Sequence, residues 1–453
     1  MIQQIIFILI AAVTFFFAYK QYSKIVRNIR LGKSEDISGN MGERIKNVVL
    51  IAFGQKKLFK RWIPAVMHLF IYVAFLFTQI ELIEILIDGA FGVHRFFADK
   101  LGGLYNVIIN SIELLSVGAF IATIVFLARR NLLKIPRFTM AEMKGWPFKD
   151  ANLILIGELL LLIGIFSMNG SDVLLQQADP EYFKDTGNLA VSSHLGPALF
   201  GGLSESSLHM VERFGWWLHI IVVFGFINYL PHSKHLHIFF AFPNVYFDKL
   251  QPRGEMSNMP EIMNEVKSMM GLTEGGEEEM SEEIPEFGSK DVFDLSWKNI
   301  LEAYTCTECG RCSSVCPANV TGKKLSPRKI MMDIRDRADI IGKNLDSGSE
   351  EFKKDQSKPL TPDNYDDGKS LFDLISKEEI YACTSCNACV EACPVLINPL
   401  EPILEMRRYD ILTMSEGPSD WLPMFNSIEN GGAVWQMPDA RDQWATEFNS
   451  ENA

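Results

Sequence analysis

Apolar residues are concentrated in five long runs in the first half of the chain, whereas charged residues dominate the second half. A membrane-spanning helix needs about 20 apolar residues, because a rise of about 1.5 Å per residue must cross roughly 30 Å of hydrocarbon. The first run has no basic segment before it, so it is interpreted as a retained helix rather than a signal peptide. The pattern predicts five transmembrane helices, near Ile2–Tyr19, Ile63–Ile87, Leu104–Leu127, Ala151–Met168 and Phe214–Leu230.

The loops between these runs alternate in their content of lysine and arginine. Residues 20–61 hold eleven basic residues and residues 129–150 hold six, whereas 88–103 and 169–213 hold two each. Basic loops are characteristic of the cytoplasmic side of a membrane. We therefore predict a multi-pass protein of the cell inner membrane, with its N-terminus outside and its C-terminus in the cytoplasm.

Composition excludes several classes of protein. The chain has 453 residues, 48% of them apolar, and a formal net charge of −13. This apolar content excludes a disordered chain, and the acidic balance argues against a nucleic-acid partner. We predict a transmembrane domain over 1–250, an acidic linker over 251–290, and a cytoplasmic domain with a partner-docking tail over 291–453. Residues 254–286 contain ten glutamates and one lysine, which is typical of a flexible tether, with a partner-docking segment as the alternative.

All eight cysteines lie in two segments that repeat each other. Tyr304–Pro317 reads YTCTECGRCSSVCP and Tyr381–Pro394 reads YACTSCNACVEACP, with seven of 14 aligned positions identical. Each is a C-x₂-C-x₂-C-x₃-C-P run, which is the sequence signature of a two-cluster bacterial ferredoxin. The predicted cytoplasmic compartment is reducing, so the thiolates are available to bind metal.

The spacing also predicts which thiols share a cluster. Three thiolates three residues apart can wrap one face of a cubane, while the fourth, followed by proline, turns away and ligates the other cluster. The alternative, structural zinc, commonly uses two separated C-x₂-C pairs, whereas here each run supplies four cysteines. We assign one [4Fe–4S] cluster to Cys306, Cys309, Cys312 and Cys393, and the other to Cys316, Cys383, Cys386 and Cys389.

The spacer between the two runs is longer than a compact two-cluster ferredoxin needs. It contains predicted helices over Pro327–Ile341 and Lys369–Glu379, with a polar surface loop between them. These helices favour the helical variety of ferredoxin domain. The predicted fold is therefore mainly α: a five-helix transmembrane bundle followed by a cytoplasmic α-helical ferredoxin domain.

Histidines lie at both ends of the predicted bundle. His68 lies in the second helix toward its basic end, and His219 lies in the fifth helix near its outer end. Polar residues inside a membrane are costly and are candidates for functional sites. His219 and His237 are 18 residues apart, about five turns, so they share a face if the helix is regular, while His235 points away.

Two haems stacked on this face are one interpretation. No C-x-x-C-H motif occurs, so any haem would be b-type, without thioether links. The alternatives are an interhelical hydrogen-bonded histidine at His68 and an interfacial basic residue at His237. A kink at Pro231 would spoil the helical phase on which the pairing depends.

The membrane half resembles the cytochrome b subunit of respiratory nitrate reductase. The stretch WWLHIIVVFGFINYLPHSKHLHIF carries that family's H…PxSxxxHI pattern. The resemblance implies that His219 and His237 are the haem ligands of the fifth helix and that His68 is the first ligand of the second. The family's fourth ligand would fall at Thr78, which cannot serve, so one haem b held by His68 and His237 is implied. A second haem needs another partner for His219, for which the outer-loop candidates are His94, His194 and His209.

The cytoplasmic half resembles the iron–sulfur subunit of heterodisulfide reductase and related membrane iron–sulfur oxidoreductases. The matching stretches are FGSKDVFDLSWKNILEAYTCTECGRCSSVCP, ILEMRRY and SIENGG. In many relatives the chain continues into cysteine-rich domains with a CCG motif, which carry catalysis. The resemblance therefore implies a separate cytoplasmic CCG-domain partner that docks near Glu391–Trp435.

These features together predict a membrane electron-transfer subunit of a quinone-linked oxidoreductase. Electrons would pass between a menaquinone pool and the cytoplasmic partner through haem b and two [4Fe–4S] clusters. The alternative is a haem-free membrane anchor for a ferredoxin module, which the missing ligand at Thr78 favours. Acidic residues in the membrane helices are candidates for the proton path of a quinone site, with interfacial solvation as the alternative for the first three: Glu81, Glu84, Asp88, Glu113 and Glu158.

Overall fold

The computed structural model describes residues 1–252, 254–272, 286–435 and 442–451. Across these ranges the chain is helical and forms no β-strand, with isolated bridges only at Lys33–Ser296 and Lys353–Tyr365. The mainly α prediction is therefore confirmed.

Five helices are long and apolar enough to cross a membrane, which confirms the five predicted spans. Each extends beyond its apolar run, because polar residues at the ends continue the helical hydrogen bonding. They are α1 (Ile2–Ile29), α2 (Trp62–Phe91), α3 (Gly103–Asn131), α4 (Trp146–Ala178) and α5 (Glu205–Tyr229).

The helices α4 and α5 approach closely at a pair of glycines. A Cβ on Gly215 would lie 2.6 Å from the Met168 nitrogen and 2.7 Å from the Gly164 carbonyl oxygen. Only glycine permits this backbone approach. Beside the crossing, a buried apolar cluster joins α1, α2, α4 and α5 and holds Phe7, Ile85, Met168, Trp216, Ile220 and Phe224.

The fifth helix does not continue to His237, so the expectation that His219 and His237 share one face of a regular helix is wrong. Helix α5 ends at Tyr229, and two short 3₁₀ segments separate it from α6 (His237–Tyr246). Pro231 lies in the first of these segments and lacks the amide hydrogen that helix continuation requires.

The cysteine-bearing region is built on α7 (Trp297–Thr305) and α8 (Pro327–Ser347). Helix α9 (Leu400–Arg408) follows the second cysteine run in the sequence. Ser296 caps α7 by accepting a hydrogen bond from the Asn299 amide, and Gly348 ends α8 with a φ of 64°. The helix predicted over Pro327–Ile341 is therefore confirmed and extends by six residues, since the structure ends it at Ser347.

The helix predicted over Lys369–Glu379 is wrong in extent. The chain forms a 3₁₀ turn over Leu371–Asp373 and a short helix over Lys377–Tyr381 instead. Each begins with its own capping box, at Ser370 and at Ser376, and these two starts interrupt a single helix.

The remaining α-helices are short and lie in the connections and the C-terminal region. They are Met41–Asn47, Ala98–Leu101, Pro136–Thr139, Ser192–Phe200, Pro260–Met269, Pro317–Val320, Ala388–Ala392, Leu422–Gly431 and Gln443–Glu451, and π-helical segments span Val48–Phe53 and Tyr409–Thr413.

The chain divides into two compact units. One comprises Met1–Met256 with Asp291–Glu401, so it contains both the helical bundle and the cysteine-bearing region. The other comprises Ser257–Lys290 with Pro402–Ala453, and in it Thr413 accepts a hydrogen bond of 2.8 Å from the Phe287 amide. The part of the acidic stretch over 273–285 lies outside the described residues.

Candidate functional site

Four thiols from both cysteine runs line one small cavity. Cys306, Cys309 and Cys312 come from the first run and Cys393 comes from the second. This is the set that the spacing assigns to one cluster. The fold therefore brings together residues more than 80 positions apart in the sequence, since the last two differ by 81 (393 − 312).

The other four thiols are also neighbours. Burial, together with the nearby Cys383, Cys316 and Cys386, raises the pKa of Cys389 to about 12. All eight cysteines are free thiols, and Cys386 is the one that is exposed. The second quartet thus lies nearer the surface of the cysteine-bearing region than the first.

The two runs adopt matching backbone conformations. The residues flanking the second cysteine have positive φ in both: 53° and 69° at Glu308 and Gly310, and 54° and 58° at Ser385 and Asn387. At Gly310 a Cβ would lie 2.4 Å from a guanidinium nitrogen of Arg328. Left-handed residues at these places curl each loop so that successive cysteines face one centre.

The thiol environment fits iron–sulfur clusters. Backbone amides donate to sulfur at Cys383 (3.4 Å from Ser385 N) and at Cys393 (3.3 Å from Ile397 N), as amides do around cluster thiolates. Burial raises the pKa of Cys306 to about 12, so an unligated thiolate is unfavourable there.

The first quartet faces the basic end of the bundle. The Arg311 guanidinium donates to the Leu58 carbonyl oxygen (3.3 Å), and Arg61 donates to the Ser314 hydroxyl (2.9 Å). An exposed ion pair joins Lys60 to Glu391 beside them. The loop before α2 thus holds the first cysteine run directly.

Buried ion pairs complete this interface. Arg328, which is fully buried, donates to Glu142 and to the Arg137 carbonyl oxygen, each at 2.6 Å. Glu308, between the first two cysteines, pairs with Lys234 after α5 and with Arg335 on α8. Burial opposes ionisation of Glu308, but these two cations outweigh it and lower the pKa of the carboxyl.

His68, His235 and His237 are neighbours at the same end of the bundle. The ring centroids of His235 and His237 lie 5.6 Å apart, and His68 is the second neighbour of His235. Burial, together with these two neighbours, lowers the pKa of His235 to about 3. A regular helix would point His235 away from His237. The break after Tyr229 brings it next to His237 instead.

All three predicted haem ligands present the same nitrogen pattern. Nδ1 of His68, His219 and His237 lies 3.2, 3.2 and 3.1 Å from an amide or carbonyl oxygen, of Gln55, Leu161 and Lys234 respectively. A carbonyl oxygen only accepts, so Nδ1 carries the proton and Nε2 keeps its lone pair. This is the form that ligates a metal, so these residues fit haem iron.

The position of the fourth family ligand and the outer-loop histidines lie away from this histidine group. Thr78 is half-buried, and its hydroxyl donates to the Phe75 carbonyl oxygen (3.1 Å), so it supplies no ligand. His94 lies 3.1 Å from Asp172 at the opposite end of the bundle, and His209 lies 3.8 Å from Asp179. His194 is exposed.

The acidic residues of the membrane helices are mostly held by partners. Glu84 accepts from the Tyr105 hydroxyl (2.7 Å), and Glu113 accepts from the Val191 amide (2.8 Å). Glu81 and Glu84 are fully buried, so simple interfacial solvation does not describe them. In the described chain Glu158 has no hydrogen bond or ion pair, and it is half-buried.

Sequence reasoning missed a buried arginine at this opposite end. Arg95 donates to Asn169 (2.6 Å) and Asp172 (3.1 Å) on α4 and lies 3.5 Å from Glu81 on α2. The isolated Asp172 at the end of an apolar run was the available signal. Its partner lies 77 residues earlier in a loop, which no local pattern reveals.

Comparisons with known proteins agree with the thiol geometry. The family model of the 4Fe-4S dicluster domain matches residues 305–397. This range contains all eight cysteines, so the prediction of a two-cluster ferredoxin-type domain is confirmed. No solved structure matches the chain.

Three curated proteins are similar to the chain. The probable iron-sulfur-binding oxidoreductase FadF of Bacillus subtilis is 26% identical over 92% of this chain and 57% of its own length. The EtfAB:quinone oxidoreductase of Syntrophomonas wolfei is 25% identical over 87% of this chain and 52% of its own. A probable membrane-anchored ferredoxin of Chromohalobacter salexigens is 33% identical over 36% of this chain and 24% of its own.

The chain spans just over half the length of the first two relatives. Its similarity to them covers both the helical bundle and the cysteine-bearing region. The chain is therefore a homologue of iron–sulfur oxidoreductases, with a 4Fe–4S dicluster domain joined to five helices long and apolar enough to span a membrane.

Proposed function

We propose that the chain is a membrane electron-transfer subunit that connects a quinone pool to a cytoplasmic redox partner. The observation that carries this proposal is the seating of the first thiol quartet on the end of the bundle where His68, His235 and His237 lie. Arg311 and Arg61 hold the first cysteine run against the loop before α2. Redox centres on both sides of this interface would be close neighbours.

Two [4Fe–4S] clusters and haem b are the proposed cofactors. Cys306, Cys309, Cys312 and Cys393 would ligate one cluster, and Cys316, Cys383, Cys386 and Cys389 the other. His68 and His237 would ligate a haem b, and His219 would serve a second if a partner histidine exists. When bound, these groups each accept and release one electron at a time.

The chain's own residues orient and insulate these centres. Gln55 and Lys234 accept from Nδ1 of His68 and His237 and fix the ring orientations. Arg328 and Glu142, both shielded from water, brace the first cysteine loop from the bundle side. The exposed Cys386 marks the side of the region from which an electron can leave to a partner.

The quinone and the partner follow from the relatives and from the resemblance. One relative is named a quinone oxidoreductase and two others a probable iron-sulfur-binding oxidoreductase and a probable membrane-anchored ferredoxin. We propose menaquinone as the membrane substrate and a CCG-domain protein as the partner, docking near Glu391–Trp435. The basic loops support a cytoplasmic location for this end, with the N-terminus outside the inner membrane.

The test is a cofactor count on detergent-purified protein. Pyridine haemochrome, iron and acid-labile sulfide should give about eight non-haem irons and one haem b per chain. A second haem would assign a partner to His219. Intact clusters without haem would contradict the conduit.

A haem-free anchor for a ferredoxin module is the second candidate. It is favoured by Thr78 at the position of the fourth ligand and by the membrane-anchored ferredoxin among the relatives. The same haem count separates the two functions.

A further inference from the structure

A cavity lies at the end of the bundle away from the cysteines. It measures about 460 Å³ and is lined by the first residues of α1, the end of α2 with its following loop, and the start of α5. The cysteine-bearing region contacts the other ends of these helices, at Asn28 and Arg61 for example. Residues 4 and 28 of α1 are separated by about 36 Å at 1.5 Å per residue.

The cavity combines apolar and polar walls. Ile85, Met168, Trp216 and Trp217 supply apolar and aromatic surface, while His94 and Arg213 supply polar groups. Its volume is in the range of small-molecule sites, which are about 300–1,000 Å³. Such a lining suits a flat, largely apolar ring system with polar atoms at its edge.

A buried polar atom in the lining lacks a partner. The His94 side chain is nine-tenths buried, and its Nδ1 has no hydrogen-bond partner among the described residues. Its Nε2 lies 3.1 Å from Asp172, and its ring packs edge-on against Phe183 with centroids 4.8 Å apart. The ring is therefore held in place with one nitrogen unused, and an unpaired buried acceptor is costly unless a ligand fills the site.

Hydrogen bonds from α2 and α4 hold the loop that carries His94. Asp88 accepts from the Arg95 and Phe96 amides at 2.9 and 3.1 Å, and Arg95 adopts a φ of 53°. The Arg95 guanidinium is anchored to Asn169 and Asp172. A strained backbone that is held by several buried contacts is typical of a preorganised site.

We propose that this cavity binds the headgroup of a quinol, with His94 Nδ1 accepting a hydrogen bond from a ring hydroxyl. The proposal rests on the proposed function, and it adds the location of the membrane substrate. Trp216 and Trp217 would flank the ring. His219 lies three residues after Trp216 on α5, so the candidate ligand for an outer haem is one turn from the cavity.

The redox balance is simple at this site. Oxidation of one quinol breaks two O–H bonds and yields one quinone, two protons and two electrons. The electrons go one at a time to the two one-electron [4Fe–4S] clusters of the proposed function, and the protons leave from the end of the bundle opposite the clusters. Quinone reduction is the exact reverse.

The experiment measures binding of the reduced probe 2,3-dimethyl-1,4-naphthoquinol to the pre-reduced full chain in nanodiscs, under anaerobic conditions, by isothermal titration calorimetry. His94→Gln removes the imidazole acceptor, and Val93→Trp adds bulk at a half-exposed position in the cavity lining. His232→Gln is the matched control, because His232 is exposed and does not line the cavity. Iron and haem contents are measured in every variant.

We expect His94→Gln to weaken binding at least 10-fold and Val93→Trp to abolish it. Iron and haem contents should be unchanged in both, and His232→Gln should behave like the wild type. Wild-type affinity in both cavity variants overturns the proposal, and so does loss of a haem in His94→Gln. Reduction of the clusters by naphthoquinol, followed by electron paramagnetic resonance, separates the two proposals. If the clusters are reduced equally in the wild type and in the cavity variants, the quinone binds elsewhere and the proposed function stands. If the wild type neither binds the naphthoquinol nor is reduced by it, the cavity proposal and the proposed function are both contradicted.

Discussion

At the residue scale, the cysteine loops depend on four residues that share an uncommon conformation. Glu308, Gly310, Ser385 and Asn387 all have positive φ, and three of them carry a side chain. Such residues cost free energy unless surrounding contacts compensate for it. At Glu308 the compensation is visible, because its carboxylate binds Lys234 and Arg335.

The cysteine spacing predicted which thiols line the same cavity, because the two-residue gaps permit few loop geometries. The buried cations around the loops were not predictable in the same way. Arg328 and Glu142 are separated by 186 residues, and nothing local at either position indicates the other. Ion pairs between residues far apart in the sequence depend on the tertiary fold, and the hydrophobic pattern of the sequence does not predict them.

Single cysteine substitutions test the crossed ligand sets. Cys393→Ser and Cys309→Ser should remove or alter the same cluster signal in electron paramagnetic resonance, because both side chains line one cavity. Cys316→Ser should alter the other signal, together with Cys386→Ser. If Cys393→Ser altered the same signal as Cys386→Ser, each run would ligate its own cluster.

Glu308→Gln should destabilise the protein by about 3–5 kcal/mol, because it leaves Lys234 and Arg335 without their buried carboxylate. The pKa of Glu308 is lower in the folded protein than in the unfolded chain. Its stabilisation is therefore complete above the unfolded pKa of about 4.3 and is lost as the pH falls through the folded-state pKa.

Thermal unfolding of wild type and Glu308→Gln between pH 3 and pH 7 checks this prediction. The two melting temperatures should converge as the pH falls. The control is Glu350→Gln, whose side chain is 79% exposed, and which should melt like the wild type throughout. A constant difference across this pH range would contradict the role of the carboxylate charge.

At the scale of elements, the five spans follow from apolar length alone, and their prediction succeeded for that reason. Their interruptions follow from single residues. Pro231 ends the fifth helix, and Ser376 starts a new helix inside a predicted one, because a cap satisfies amides that a continuous helix would bond internally. The hydrophobic pattern therefore predicts that a helix exists, whereas proline and capping residues determine where it ends.

The α4–α5 crossing gives a matched pair of glycine substitutions. Gly215→Ala should cost about 1–3 kcal/mol by overpacking, because its Cβ would meet backbone atoms of α4 at 2.6 and 2.7 Å. Gly225→Ala lies on the same helix with no atom within 4 Å and should be neutral or stabilising. Thermal unfolding in detergent measures both, and equal effects would contradict the close crossing.

At the scale of the whole chain, the first compact unit joins the bundle to the cysteine-bearing region through a polar interface. Its members come from the loop before α2, the loop before α4 and the segment after α5, as shown by Arg61, Glu142 and Lys234. These loops were recognised in the sequence only by their charge. The structure shows that several of the same charges form the contact surface for the cysteine region.

Glu142→Ala should loosen the first cluster without touching a cysteine. It leaves the fully buried Arg328 without its carboxylate, and Arg328 packs against the loop at Gly310. Purified Glu142→Ala should lose its first cluster signal faster in air than the wild type. The exposed pair of Lys324 and Glu378 provides the control, since Glu378→Ala should keep both clusters as the wild type does.

The contact between the end of α1 and α7 and α8 has a consequence for biosynthesis. Asn28 donates to the Tyr304 hydroxyl (3.0 Å), and Arg27 donates to the Gly342 carbonyl oxygen (2.9 Å), across 276 and 315 residues of sequence. The ribosome must therefore complete all five spans before the surface that receives α1 exists. Membrane insertion comes first and docking of the cysteine region comes last, so a newly made chain waits in the bilayer with the polar end of its first helix uncovered until its final third emerges.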